Sequence, residues 1–151
     1  MKHLLFAGLL AFAATPALAM DIAGQHSSCM IWAQEASAAA KADRRLSGAD
    51  EAQVVKALDA FARGQRAAFD QGRDEQIAFA KALGFTEAEV DAENAADMDA
   101  ARKAFARPGP LHAAHLITLA QCAQRTKDKA HLGQSEAELG AALDVAYGAV
   151  S

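Results

Sequence analysis

The chain has little of what forms β-sheets, spans membranes or binds the common cofactors. Its 151 residues include only three prolines, one tryptophan and one tyrosine. β-branched residues are scarce, and no segment alternates apolar and polar positions, which argues against a sheet protein. No glycine-rich phosphate loop, nucleophile-elbow serine or C-x-x-C-H haem-attachment sequence occurs. These absences argue against a nucleotide-binding protein, a serine hydrolase and a c-type cytochrome.

The first 19 residues have the pattern of a cleavable signal peptide. A basic start at Lys2 precedes an uncharged apolar run over residues 4–14, which is too short to span a bilayer. Residues 17–19 (Ala-Leu-Ala) form a small-x-small cleavage site. Because no stop-transfer pattern follows, cleavage is favoured over the alternative of an uncleaved anchor. We therefore predict one mature domain, residues 20–151, in the bacterial periplasm or outside the cell, without a membrane span after cleavage.

The charge balance is acidic. The formal net charge is −4, and the predicted signal contains only one of the 15 basic residues and no acidic one. This argues against nucleic acid or an anionic membrane as a partner. The stretch Asp91, Glu93, Asp97 and Asp99 lacks a calcium-loop pattern. It is either a solvated helix face or a contact surface for a divalent metal or, as we predict, for another periplasmic protein.

The two cysteines are expected to form a disulfide. Cys29 and Cys122 lie 93 positions apart, and cysteines of exported chains usually pair because that compartment is oxidising. The chain-entropy model gives such a closure roughly 4 kcal/mol. The alternative is a pair of free thiols that bind a metal.

Helix start and stop signals divide the mature chain into five helices. They cover about 25–45, 50–83, 86–106 and 111–127, with a fifth that starts at Ser135. Their spacing predicts an all-α, up-and-down bundle of four to five helices. In that topology the disulfide joins the first and fourth helices at one end of the bundle.

Several local features carry more specific predictions. Thr86 with Glu89, and Ser135 with Glu138, form capping boxes that predict helix starts. Helix 2 either continues through Gly72 or bends or breaks near it, because glycine weakens helices; the sequence leaves both open. Helix 4 carries no charge before Arg125, so it is predicted to be apolar on all sides and the most buried helix.

Two histidines suggest a metal site. His112 and His115 are three positions apart, on neighbouring parts of one helix face, and can supply two imidazole ligands. No third ligand is placed by the sequence. The alternative is one packed and one solvated histidine. His26 is expected to point away from the middle of the bundle, beyond the Cys29–Cys122 link.

The apolar stripe of helix 2 is interrupted at Gln65, Gly72 and Gln76. A polar side chain on a buried stripe needs a hydrogen-bond partner. These residues therefore either pair with another helix or line a pocket, to which Met98 of helix 3 would contribute.

The residues favour a non-enzymatic exported protein that binds another protein, either as a stress chaperone or as an inhibitor or immunity protein. In its general plan of a signal, a compact helical domain and one disulfide, the chain resembles small periplasmic acid-stress chaperones. The alternative is a periplasmic carrier of metal or haem that uses His112 and His115. Trp32, beside the stripe of helix 1, either contacts a partner or covers the edge of the core.

Overall fold

The computed structural model describes the backbone of residues 6–105, 109–126 and 133–151, and the side chains of residues 24–105, 109–126 and 137–151. These residues form α-helices and no strand, which confirms the predicted all-α class. The helices are α1 (Phe6–Ala42), α2 (Gly48–Ala82), α3 (Glu87–Phe105), α4 (Ala113–Thr126) and α5 (Gly133–Val150).

Helix α1 is longer than predicted. It begins at Phe6 rather than near residue 25, runs through the predicted signal segment, and ends at Ala42 rather than near Arg45. The alanine-rich sequence on both sides of the predicted cleavage site has a high helix propensity, so the backbone continues as helix through it. The turn after Ala42 is closed by the Leu46 amide, which donates to the Asp43 carbonyl. Cleavage after Ala19 stays a prediction.

Helix α2 is continuous through Gly72 and does not break there, which answers the question that the sequence left open. Ser47 caps its start by accepting a hydrogen bond from the Asp50 amide. At its end, the Phe85 amide donates to the Ala80 carbonyl, and Gly84 adopts a φ of 87°. That left-handed conformation favours glycine and closes the helix in a Schellman motif.

One predicted capping box is confirmed and the other is wrong. The Glu89 amide donates to Thr86 Oγ1 at 3.3 Å, and the Thr86 amide donates to the Glu89 carboxylate at 2.8 Å. Helix α5, however, starts at Gly133. Ser135 therefore lies inside the helix, where it cannot act as its N-cap.

Two links show that α1 and α4 run antiparallel. Cys29 is bonded to Cys122 near the end of α4, whereas Asp43, just after α1, accepts a hydrogen bond from the amide of Leu111, just before α4. Between these links lies a core built from α1, α2, α4 and α5. Its largest fully buried apolar side chains are Val54, Leu58, Phe61, Leu111, Leu119 and Leu139.

Helix α4 is not buried on all sides. Leu116 and Leu119 face the core, but Ala114, Ile117 and Ala120 are exposed. The helix packs mainly against α1 and α5, so its outer face meets solvent. The apolar residues of that face are short or isolated, and the sequence pattern therefore overstated the burial of α4.

Candidate functional site

The predicted disulfide is present. The Sγ atoms of Cys29 and Cys122 are 2.06 Å apart and the Cα atoms 5.7 Å apart. Both residues are buried. Because both sulfurs are consumed in this bond, the alternative of two thiols that bind a metal does not hold.

A buried polar chain lies next to the disulfide and connects three helices. His26 Nδ1 donates to Gln65 Oε1 at 2.7 Å, and Gln65 Nε2 donates to Thr126 Oγ1 at 2.6 Å. The Thr126 hydroxyl in turn donates to the Cys122 carbonyl at 2.8 Å. His26 is thus inside the bundle and does not point away from it, because α2 continues past the disulfide and packs beside it.

A cleft of about 510 Å³ opens beside the disulfide, with Cys29 and Cys122 in its wall. It lies between α1, α3 and α4. Its walls are formed by Gly24, Gln25, Ser28, Cys29, Trp32, Asp97, Ala100, Ala101, Ala104, Cys122 and Arg125. The indole Nε1 of Trp32 donates to the Ala101 carbonyl at 3.1 Å, which fixes the ring at the edge of the cleft.

The cleft exists because small residues meet where the helices face each other. Gly24 and Ser28 are four positions apart on α1, and Ala100 and Ala104 are four positions apart on α3, so each pair shares a helix face. None of these side chains is long enough to fill the space. Sequence reasoning missed this site, because i, i+4 pairs of small residues are too common in this alanine-rich chain to mark one place.

Two opposite charges line the same cleft without neutralising each other. Asp97 on α3 and Arg125 on α4 are both exposed. Neither forms an ion pair or hydrogen bond with another described residue. By contrast, Arg73, Arg66 and Arg102 each pair with a carboxylate.

A second cleft, of about 360 Å³, lies between α2 and α3. At its edge Arg73 donates to both carboxylate oxygens of Asp91, at 2.6 and 2.8 Å. This guanidinium holds the pKa of Asp91 below its usual range, and the Asp91 carboxylate holds the pKa of Arg73 above its own. The charges of Arg73 and Asp91 therefore already neutralise each other within the protein.

The structure places the four residues predicted to line a pocket in different surroundings. Met98 borders the second cleft. Gln76 is buried, and its Oε1 accepts from Asn94 Nδ2 at 3.1 Å. Gln65 is fully buried in the polar chain with His26. Gly72 is half-buried within α2. For both glutamines, the structure shows the pairing with another helix that the sequence left open.

The predicted metal pair is brought together at the start of α4. The rings of His112 and His115 are 5.3 Å apart and meet edge-on. His115 is buried and stacks on Phe105 at 4.3 Å, whereas His112 is exposed. The side chains of the described residues contain no group of three or more His, Cys, Asp or Glu that could hold a metal ion.

Two of the four residues of the predicted acidic surface are paired with arginines. Asp91 is paired with Arg73, and Asp99 accepts a hydrogen bond from Arg102 at 3.0 Å. Glu93 and Asp97 are exposed. The net negative charge of this helix face is therefore smaller than the sequence suggested.

Exposed apolar side chains gather at the turn between α2 and α3. Phe79 is 38% exposed, Leu83 60% and Phe85 55%. Phe79 and Leu83 are four positions apart on one face of α2, and Phe85 follows in the turn. We call these three residues the apolar tip. Sequence analysis did not single it out, because Phe79 and Leu83 continue the apolar stripe of helix 2.

Comparison of the chain with protein-family models, with curated proteins and with solved structures finds no match. In the part of the chain whose side chains are described, no helix is both long and apolar enough to cross a membrane.

Proposed function

We propose that this protein is an exported, non-enzymatic binding protein that holds another protein through the apolar tip. The observation that carries the proposal is the exposure of Phe79, Leu83 and Phe85 together at one turn. Single exposed apolar residues are common on protein surfaces, but grouped large ones mark interaction sites.

The tip is presented on a firmly closed turn. The Schellman motif at Gly84 ends α2, and the capping box of Thr86 and Glu89 starts α3 immediately afterwards. Lys81 and Glu87 lie 3.5 Å apart beside the tip and supply a charged rim. An apolar centre with a charged rim is the usual layout of a protein interface.

The disulfide supports the proposed compartment. Structural disulfides persist in oxidising surroundings such as the periplasm and are rare where glutathione keeps thiols reduced. Together with the predicted signal at residues 1–19, the Cys29–Cys122 bond favours a protein that works after export.

The test is a variant in which Phe79, Leu83 and Phe85 are all replaced by serine. We expect it to fold normally, since Leu83 and Phe85 are more than half exposed and Phe79 is 38% exposed. We expect its affinity for the partner to fall at least about tenfold. Suitable measurements are retention of periplasmic proteins on the immobilised protein and suppression of light scattering by an acid-stressed client protein. Ile117→Ser is the matched control, because Ile117 is 51% exposed but lies on α4.

The two assays separate the kinds of partner. Suppressed client aggregation identifies a stress chaperone, whereas stoichiometric retention of one folded protein identifies an inhibitor or immunity protein. If the wild-type protein does neither, or if the triple variant and Ile117→Ser behave alike, the proposed function is wrong.

A further inference from the structure

We propose that the cleft beside the disulfide binds a short zwitterionic peptide of two or three residues with an apolar side chain. This is a second site, separate from the apolar tip. Its volume of about 510 Å³ falls within the roughly 300–1,000 Å³ of clefts that hold small ligands.

The charges on the walls define the ends of the ligand. Asp97 on α3 can accept hydrogen bonds from an ammonium group, and Arg125 on α4 can donate to a carboxylate in the two-pronged manner typical of guanidinium groups. Since neither side chain is engaged by another described residue, both are available to a ligand without breaking an internal ion pair.

The remaining wall suits the middle of a peptide. The methyl groups of Ala100 and Ala104 and the indole of Trp32 form an apolar surface for one side chain. Ser28 on α1 adds a hydroxyl that can donate to a peptide carbonyl. A ligand with a single charge, or with no apolar part, would leave one of these features unmatched.

The experiment uses the oxidised protein and the tripeptide Ala-Leu-Ala as the probe, in three forms: with free ends, with an acetylated amino end, and with an amidated carboxyl end. Trp32 is the only tryptophan of the chain and lines the cleft, so its fluorescence reports binding directly. Calorimetry gives the affinity independently. We expect the free form to bind and each blocked form to bind about fivefold more weakly, since exposed ion pairs contribute up to roughly 1 kcal/mol.

Variants assign each end of the peptide to one wall. Asp97→Asn should weaken binding of the free peptide as much as acetylation of its amino end does. In that variant, acetylation should then cause no further loss of affinity. Arg125→Gln should likewise weaken binding of the free peptide as much as amidation of its carboxyl end does, and amidation should cause no further loss of affinity in that variant. Arg63→Gln is the matched control, because Arg63 is exposed on α2 and does not border the cleft; it should bind like the wild type.

Ala104→Leu tests the space itself, because a leucine side chain would fill the region beside Trp32. We expect at least a tenfold loss of affinity with an unchanged helical circular dichroism spectrum, whereas Ala92→Leu on the exposed part of α3 should have no effect. Should Ala104→Leu fail to fold, the two charge variants still decide the question. The proposal is overturned if the free peptide does not bind at concentrations up to about 10 mM, which corresponds to a binding free energy of under about 3 kcal/mol. Equal binding of all three peptide forms, or binding unaffected by Asp97→Asn and Arg125→Gln, would overturn it as well.

Discussion

The carboxylate of Asp43 accepts four hydrogen bonds, and the one from the Leu111 amide ties the end of α1 to the start of α4. Its carboxylate accepts from the Arg45 amide and Nε, both at 3.0 Å, from Arg45 Nη2 at 2.8 Å, and from the Leu111 amide at 3.0 Å. Arg45 Nη2 also donates to the Leu111 carbonyl at 2.6 Å. The hydrogen bond from the Arg45 side chain is the main reason why the pKa of Asp43 falls from its usual 3.8 to about 2.

Asp43→Asn should therefore destabilise the protein by about 2 kcal/mol near neutral pH, since one pKa unit corresponds to 1.36 kcal/mol. The folded-state pKa lies below the unfolded-state value. The stabilisation is thus present above pH 3.8 and is lost as the pH falls towards 2. Urea unfolding of both proteins at a series of pH values should show a constant difference above pH 4 that shrinks in more acidic buffer.

The matched control for this variant is Asp70→Asn. Asp70 pairs with Arg66 at 2.9 Å, but both side chains are more than half exposed, and such surface pairs contribute little. We expect a change below about 1 kcal/mol. An Asp43→Asn protein as stable as Asp70→Asn, or a difference that does not respond to acid, would contradict the role of Asp43 in joining α1 to α4.

At this residue scale the sequence predicted some partners and missed others. Cys29 with Cys122 could be paired because only two cysteines exist. Gln65 was recognisable as a polar residue on an apolar stripe, but its partners, His26 and Thr126, depend on how far α2 extends past the disulfide. The Asp43 contact was missed because its partner, the Leu111 amide, is a backbone group 68 positions away.

The start of α3 offers a test at the scale of a single element. Thr86→Ala removes the hydroxyl that accepts from the Glu89 amide and should cost about 1 kcal/mol of stability, as is typical when an N-cap is lost. It also removes the hydroxyl contact to the Glu89 carboxylate. The Thr86 backbone amide and this hydroxyl together hold the pKa of Glu89 below its usual value. Chemical denaturation gives the stability, and NMR titration of Glu89 should show its pKa rising towards the ordinary range.

Thr118→Ala is the control for Thr86→Ala. The Thr118 hydroxyl donates to the Ala114 carbonyl inside α4, where alanine is a better helix former than threonine. That substitution should leave the stability unchanged or raise it by a few tenths of a kcal/mol. Equal losses from both threonines would mean that the capping box does not stabilise α3.

Local signals predicted the helices best where the chain itself supplies the hydrogen-bond partners. Thr86 marks the start of α3 and Gly84 marks the end of α2, because the caps at both positions are made by neighbouring residues. Gly72 left the continuity of helix 2 open, and the helix continues because packing along α2 outweighs the roughly 1 kcal/mol that a glycine costs a helix. Ser135 was misleading, because a capping sequence does not exclude an earlier helix start.

For the whole molecule, the order of helices and the position of the disulfide could be predicted, whereas the cleft could not. The bundle follows from apolar spacing and short connections, which are local properties. The cleft depends on Gly24, Ser28, Ala100 and Ala104 meeting in space, and small residues carry no periodic signal in an alanine-rich chain. The charges of Asp97 and Arg125, which no other described residue pairs with, likewise indicate a site only once α3 and α4 are placed beside α1.

Both ends of α4 are held to α1, one covalently by Cys29–Cys122 and the other by the hydrogen bond from the Leu111 amide to Asp43. Reduction, or the double variant Cys29→Ser/Cys122→Ser, should lower stability by up to about 4 kcal/mol, because the bond closes a long loop in the unfolded chain. The melting temperature should fall by up to roughly 15 °C.

The loss of local stability after reduction should also be uneven along α4. Amides near Cys122 should lose protection from hydrogen exchange, whereas the Leu111 amide, still bonded to Asp43, should keep more of it until global unfolding. Adding Asp43→Asn to the reduced protein should remove that difference, because both links between α1 and α4 are then gone. An unchanged melting temperature on reduction would show that the bond adds nothing to the stability of the bundle, and uniform exchange along α4 would show that the two ends are not held independently.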